Sequence, residues 1–100
     1  YRSGGENVYP AEVEKVLTTH PKISQAAVIG VPDEKWGEVG MGFIVPAPNE
    51  HVTVQEIQDF LKGKLARYKY PAGYHFLKEL PLTATMKVKK GELKERYGMR

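Results

Sequence analysis

One lysine in this chain stands on a stretch built to present it. The run Pro81-Leu82-Thr83-Ala84-Thr85-Met86-Lys87 sets small residues and turn formers ahead of Lys87, so its ammonium can reach past the local surface into a pocket. A lysine is a compact point charge suited to phosphate and carboxylate oxygens. When a carboxylate attacks a phosphoryl group, two anions must approach, and a cation touching both lowers their repulsion and stabilises the developing charge. The competing reading is a solvated lysine beside Lys89 and Lys90, which residue type favours when the surrounding run is left aside.

Two further segments carry chemistry-bearing residues. Ser3-Gly4-Gly5-Glu6 places two glycines together, which permits positive φ and lets a thin ligand such as a pantetheine arm pass against the backbone, or else makes a plain turn. No Gly-Lys-Ser/Thr follows, so it is not a phosphate loop. In Pro32-Asp33-Glu34-Lys35-Trp36-Gly37-Glu38 the Trp36 indole can stack on an adenine with Lys35 near a phosphate, or cover an edge of the core. His20, His51 and His75 have no mutual ligand spacing and the chain has no cysteine, which removes disulfides, thiol nucleophiles and cysteine metal sites and gives a metal site little support.

These residues need elements to hold them. Pro10 suits a helix first turn, and Val13, Val16 and Leu17 follow at helical spacing until His20-Pro21 stops the helix. Ala26 to Val31 is an apolar run of strand length, which Pro32-Asp33 is expected to close. A second strand follows three glycines and ends near Pro46. Thr53 and Glu56 form a capping box, with Val54, Ile57, Phe60, Leu61 and Leu65 along one helical stripe to about Arg67. Lys69 to Gly73 reads as a turn, Tyr74 to Leu77 as a strand, and Lys90 to Tyr97 as a final helix weakened by Gly91. The expected fold class is α+β: a small mixed or antiparallel sheet with about three helices packed on it.

One hundred residues make one domain, large enough for a core but of a size at which a separate catalytic cleft with its own substrate pocket is unusual. The chain opens in a glycine loop without a starting methionine, so a boundary just upstream is expected. No apolar run approaches the roughly 20 residues of a membrane span. The absence of cysteine fits a reducing cytoplasm. Residues 1–86 hold nine Lys and Arg against ten Asp and Glu, while residues 87–100 hold six against two. Such a basic tail suits an anionic partner: a nucleotide, CoA or nucleic acid.

Ser3-Gly4-Gly5-Glu6-Asn7-Val8-Tyr9-Pro10, then His20-Pro21, Ala26 to Asp33 and Trp36-Gly37-Glu38, and finally Pro81 to Lys87, stand in an order that resembles the C-terminal lid domain of adenylate-forming enzymes, most of all acyl-CoA synthetases. The resemblance implies that the chain is a single lid domain over residues 1–100. It also implies that the hinge and a large N-terminal domain binding ATP and the acid lie before Tyr1. Lys87 matches the lysine that promotes acyl-adenylate formation. Ser3, Gly4, Gly5 and Glu6 match the loop that, after the domain rotates, helps form the pantetheine tunnel, and Lys35 and Trp36 match a turn that approaches the CoA nucleotide in some members. ATP with Mg2+, CoA, a carboxylic acid and the N-terminal domain are the implied partners, and no metal is implied on this chain, which should be inactive alone. The family usually carries glycine where this chain has Met86, a bulkier residue that disfavours positive φ. An adenylation domain loading a carrier protein is the enzymatic alternative. A basic nucleic-acid-binding module is the other, though it lacks the interleaved aromatics of a single-strand platform.

Overall fold

The computed structural model describes residues 1–98; Arg100, part of the basic C-terminal stretch, lies outside the described residues. The elements run β1 (Arg2–Ser3), β2 (Glu6–Asn7), α1 (Pro10–Leu17), β3 (Ile23–Asp33), β4 (Gly37–Pro46), α2 (Val54–Leu61), a 3-10 turn (Arg67–Lys69), β5 (Gly73–Phe76) and α3 (Lys90–Tyr97). Strands are ordered β2-β1-β4-β3, with β5 also on β4. β5 runs parallel to β4, and the other pairs are antiparallel, so the sheet is mixed, in the α+β class expected.

The β3–β4 hairpin is the spine. Its side chains alternate between two cores: Val28 and Ile44 pack with Val13, Leu17, Ile57 and Leu61 of α1 and α2, while Ala27, Ile29 and Phe43 pack with Leu80 and Leu93 on the other face. Burial on both faces explains the unbroken apolar run Ala26 to Val31, since neither alternate set can be polar. Each fully buried side chain of this size stabilises the fold by about 1.5–3 kcal/mol.

Gly40 and Gly42 lie inside β4, beneath tyrosine rings. Gly30 pairs with Gly40 across the hairpin. A Cβ built on Gly30 would lie 2.6 Å from Tyr1 Cβ, one on Gly40 would meet the Tyr1 hydroxyl, and one on Gly42 would lie 2.7 Å from Tyr74 Cδ1. The missing side chains are thus replaced by tyrosines from the chain start and from β5. That packing is why a glycine-rich stretch persists as strand despite its weak propensity.

Helix boundaries follow local chemistry. Pro10 starts α1 as expected, and Thr18 and Thr19 end it by donating their hydroxyls to the carbonyls of Glu14 and Val16 at 3.1 and 2.6 Å. In α2 the Glu56 N–H donates to Thr53 Oγ1 at 3.1 Å while Glu56 Oε1 accepts from the Thr53 N–H at 3.3 Å, the capping box expected.

Four expectations are corrected. β3 runs through Pro32 and Asp33, because the turn is made by Glu34 to Trp36 with the Asp33 carboxylate accepting the N–H groups of Lys35 and Trp36 at 3.1 and 3.0 Å. α2 stops at Leu61 and not near Arg67: Lys62 leaves the helical region with ψ 129° and Gly63 continues the turn at φ 78°, while Leu65 still folds back onto the core. Val54 is 44% exposed, since the backward tilt of side chains in the first helical turn carries it past the helix end. The glycine loop at the chain start is itself an element, the tip of the β1–β2 hairpin.

Candidate functional site

Gly4 and Gly5 are the two central residues of the β1–β2 turn, with φ 60° and 85°. Positive φ at both positions is the geometry of a tight hairpin turn, where glycine avoids a Cβ clash. Arg2 braces the tip, donating from Nη2 to the Gly5 carbonyl at 2.6 Å and from Nη1 to Asn7 Oδ1 at 2.9 Å. The hairpin is sewn to the β3–β4 turn by the Gly4 N–H donating to the Trp36 carbonyl at 2.9 Å and by the pairing of Ser3 with Gly37.

This juxtaposition makes a groove. Trp36, 48% exposed, lays its ring against Gly4, where any Cβ would come within 2.9 Å of Cε3. Ser3, Gly4, Glu6 and Trp36 line a cavity of about 280 Å³ together with Gly40, Tyr68, Tyr70 and Ala72. Gly5 sits on the exposed tip and does not line it. Lys35 Nζ lies 4.9 Å from the Trp36 ring centroid, a cation above an aromatic platform. Tyr68 is 45% exposed on the same groove, and its neighbour Lys69 is anchored to Glu12 of α1 at 2.9 Å. Hydrogen bonding to that carboxylate is the main cause of the raised Lys69 pKa. Tyr68, Tyr70 and Ala72 were not singled out from the sequence; the pairing of β5 with β4 brings their segment to Gly40, whose carbonyl accepts the Ala72 N–H at 2.8 Å.

The lysine run forms a second, separate feature. Leu82 and Val88 pair as an antiparallel bridge, closing a turn between them. Within it the Thr83 N–H donates to the Lys87 carbonyl at 2.7 Å, the Met86 N–H to the Thr83 carbonyl at 2.9 Å, and the Lys87 N–H to Thr83 Oγ1 at 3.1 Å. Met86 takes φ 65°. The chain therefore keeps the left-handed backbone that glycine would favour, with a methionine carrying it. Lys87 is exposed and makes no ion pair among the described residues, whereas Lys90, three positions on, is tied to Glu14 at 2.7 Å.

The two features occupy opposite ends of the β3–β4 hairpin. Met86 lines a groove with Ser24, Gln25 and Ala26 at the start of β3, while Trp36 lies in the turn at its far end. Eight residue steps of strand run from Gln25 to Asp33, roughly 26 Å at the ordinary rise. His20 accepts the Lys22 N–H at 3.0 Å and His75 stacks on Phe43 at 5.4 Å between ring centroids. Among the described residues no three His, Cys, Asp or Glu side chains are grouped to hold a metal ion, and no helix is long and apolar enough to cross a membrane.

A family model described as AMP-binding enzyme C-terminal domain matches residues 12–87. A feruloyl-CoA synthase of Amycolatopsis sp is 47% identical over 96 residues, which is 96% of this chain and 20% of that protein. ScoC of Streptomyces coeruleorubidus, a fatty acid–[acyl-carrier-protein] ligase, is 43% identical over 93% of this chain and 18% of its own length. Among solved structures, the Mycobacterium tuberculosis fatty acyl CoA synthetase superposes with a TM-score of 0.90 at 46% identity, over 98% of this chain and 19% of that one. The chain thus spans about one fifth of the length of the curated relatives it matches.

Proposed function

This chain belongs to the AMP-binding enzyme C-terminal domain family, and we propose that it is the mobile lid of an AMP-forming acid:CoA ligase. In this reading the large N-terminal domain supplies the ATP and acid sites. Mg2+ would enter with ATP on that domain and would offset phosphate charge there; among the described residues of this chain no three His, Cys, Asp or Glu side chains are grouped to hold it. The carboxylic acid attacks the α-phosphorus of ATP, forming the acyl adenylate and releasing pyrophosphate. Lys87, brought to the site, touches the incoming carboxylate and a phosphate oxygen and offsets the charge that builds between them. After rotation of the domain, the CoA thiolate attacks the acyl carbon and AMP leaves.

The glycine-hairpin groove serves the second step. Pantetheine passes along Ser3, Gly4 and Glu6, where the absence of a Cβ at Gly4 lets the Trp36 ring close down as the groove wall, and the CoA nucleotide meets Trp36 with Lys35 above it. The observation that carries the proposal is the separation of the two features. One face cannot present both ends of an eleven-residue strand to a single reacting carbon at once, so the steps call for two orientations of the lid. CoA is the acceptor named for both the feruloyl-CoA synthase and the mycobacterial synthetase, which supports CoA over the carrier protein named for ScoC.

The test is Lys87→Ala in the full-length enzyme, assayed for each half-reaction. Acid-dependent ATP–pyrophosphate exchange should fall by roughly 10²–10³-fold, as for loss of one preorganised electrostatic group, while thioester formation from a supplied acyl adenylate and CoA persists. Survival of exchange at the unmutated rate would remove Lys87 from the chemistry. Replacing CoA by a phosphopantetheinylated carrier protein in the second assay separates the two acceptors.

A further inference from the structure

We infer that Thr83 is a positioning residue for Lys87, clamping the turn so that the lysine leaves it in one direction; the inference rests on the reading of Lys87 as the adenylation lysine. Both backbone polar groups of Lys87 end on this one residue: its carbonyl accepts the Thr83 N–H at 2.7 Å, and its N–H donates to Thr83 Oγ1 at 3.1 Å. The Thr83 carbonyl takes the Met86 N–H at 2.9 Å. The Thr83 hydroxyl also hydrogen-bonds Thr85 Oγ1 at 3.0 Å, which orients it and leaves a lone pair for the Lys87 amide.

What makes the clamp necessary is Met86. A non-glycine residue at φ 65° is strained, and such a conformation persists only where its surroundings over-determine it. Here Thr83 holds the peptide on each side of Met86, through the Met86 N–H and the Lys87 N–H. The Met86 side chain is 71% exposed and offers little packing to hold the turn. Without the hydroxyl, relaxation of Met86 toward ordinary negative φ would swing the Cα–Cβ bond of Lys87 and displace an ammonium carried on four methylenes. A displacement of about 1 Å at a reacting centre can cost 10²-fold in rate. Thr83 touches no substrate in this account; it acts through Lys87.

The experiment uses Thr83→Val, Thr83→Ser, Met86→Gly and the Thr83→Val/Met86→Gly pair in the full-length enzyme. Thr83→Val should lower kcat for ATP–pyrophosphate exchange about ten- to hundredfold, with KM for acid and ATP and the supplied-adenylate half-reaction all within about twofold. Thr83→Ser, keeping the hydroxyl, should recover most of the lost kcat. In the Met86→Gly background, where the turn is unstrained, the Thr83→Val loss should shrink. In the hundred-residue chain, Thr83→Val should also strip hydrogen-exchange protection from the Lys87 amide. Equal losses in both half-reactions, an intact exchange rate in Thr83→Val, or failure of Thr83→Ser to recover kcat would each overturn the inference. Exchange that survives Lys87→Ala overturns the reading of Lys87 beneath it, whereas exchange abolished by Lys87→Ala but untouched by Thr83→Val overturns the role of Thr83 alone.

Discussion

The groove at the Trp36 end and the turn at the Lys87 end are built on opposite plans. Three stretches far apart in the chain meet at the groove: the hairpin tip at residues 3–6, the turn and strand at 36–40 and the segment at 68–72. The lysine turn is complete within residues 82–88, with its hydrogen bonds passing between neighbours. A local turn takes its shape from its own short-range hydrogen bonds. A groove whose walls come from separate strands depends on the sheet beneath it, and its floor depends on rings filling positions where the sheet has no side chains.

This contrast can be broken from either side. Loss of adenylation in Lys87→Ala, with thioester formation intact, is the largest effect expected. Its counterpart is Gly4→Val. The substitution puts a branched side chain at φ 60° and within 2.9 Å of the Trp36 ring, pushing that ring off its seat on the groove. Thioester formation from supplied adenylate should fall about ten- to hundredfold while ATP–pyrophosphate exchange stays within a few fold. Equal losses in the two assays would mean that the ends of the hairpin are not functionally separate.

A smaller effect is expected beneath the groove. Gly40→Val collides with the Tyr1 hydroxyl and approaches Pro71 Cα, 3.4 Å from the first added carbon. Overpacking of this kind costs about 1–3 kcal/mol, or roughly 4–8 °C of melting temperature for each kcal/mol in a domain this size. Thermal unfolding should register the loss. The Lys87 amide should keep its exchange protection, because no hydrogen bond of that turn passes through β4.

The smallest effect belongs to the tyrosine itself. Burial, with the Glu38 carboxylate adding to it, pushes the Tyr1 phenol up to about 12. The unfolded chain releases this proton near pH 10 while the folded chain still holds it, so the unfolded state binds fewer protons in that interval and stability falls as pH rises. The contribution is whole below pH 10 and is lost between pH 10 and about 12. Urea unfolding of Tyr1→Phe should show a shallower decline across that window than the unmutated chain.

Legibility in the sequence followed the same divide. The Thr53 and Glu56 box, the Pro10 helix start and the turn before Lys87 were readable, because each is a contact among residues within a few positions of one another. Trp36 could be read as a cover for the core or as an exposed platform, and only its seat on Gly4 makes it a groove wall. Tyr68, Tyr70 and Ala72 carried no signal, since a parallel strand pairing brings them to Gly40 and no local pattern announces that partner. The glycines of β4 read as a break before a strand, although Tyr1 and Tyr74 complete the strand from a distance.

The sequence by itself determined the α+β class, the start of α1, the cap of α2, the order of motifs and the presence of one lysine on a small-residue turn. All of these rest on short-range periodicity and hydrogen bonding. Tertiary structure alone decided that Gly4 meets Trp36, that tyrosine rings stand in for the missing side chains of the sheet, and that Met86 holds a left-handed backbone without being glycine. Those outcomes depend on which strands pair and which faces are buried on both sides, quantities set by the whole chain collapsing onto one sheet.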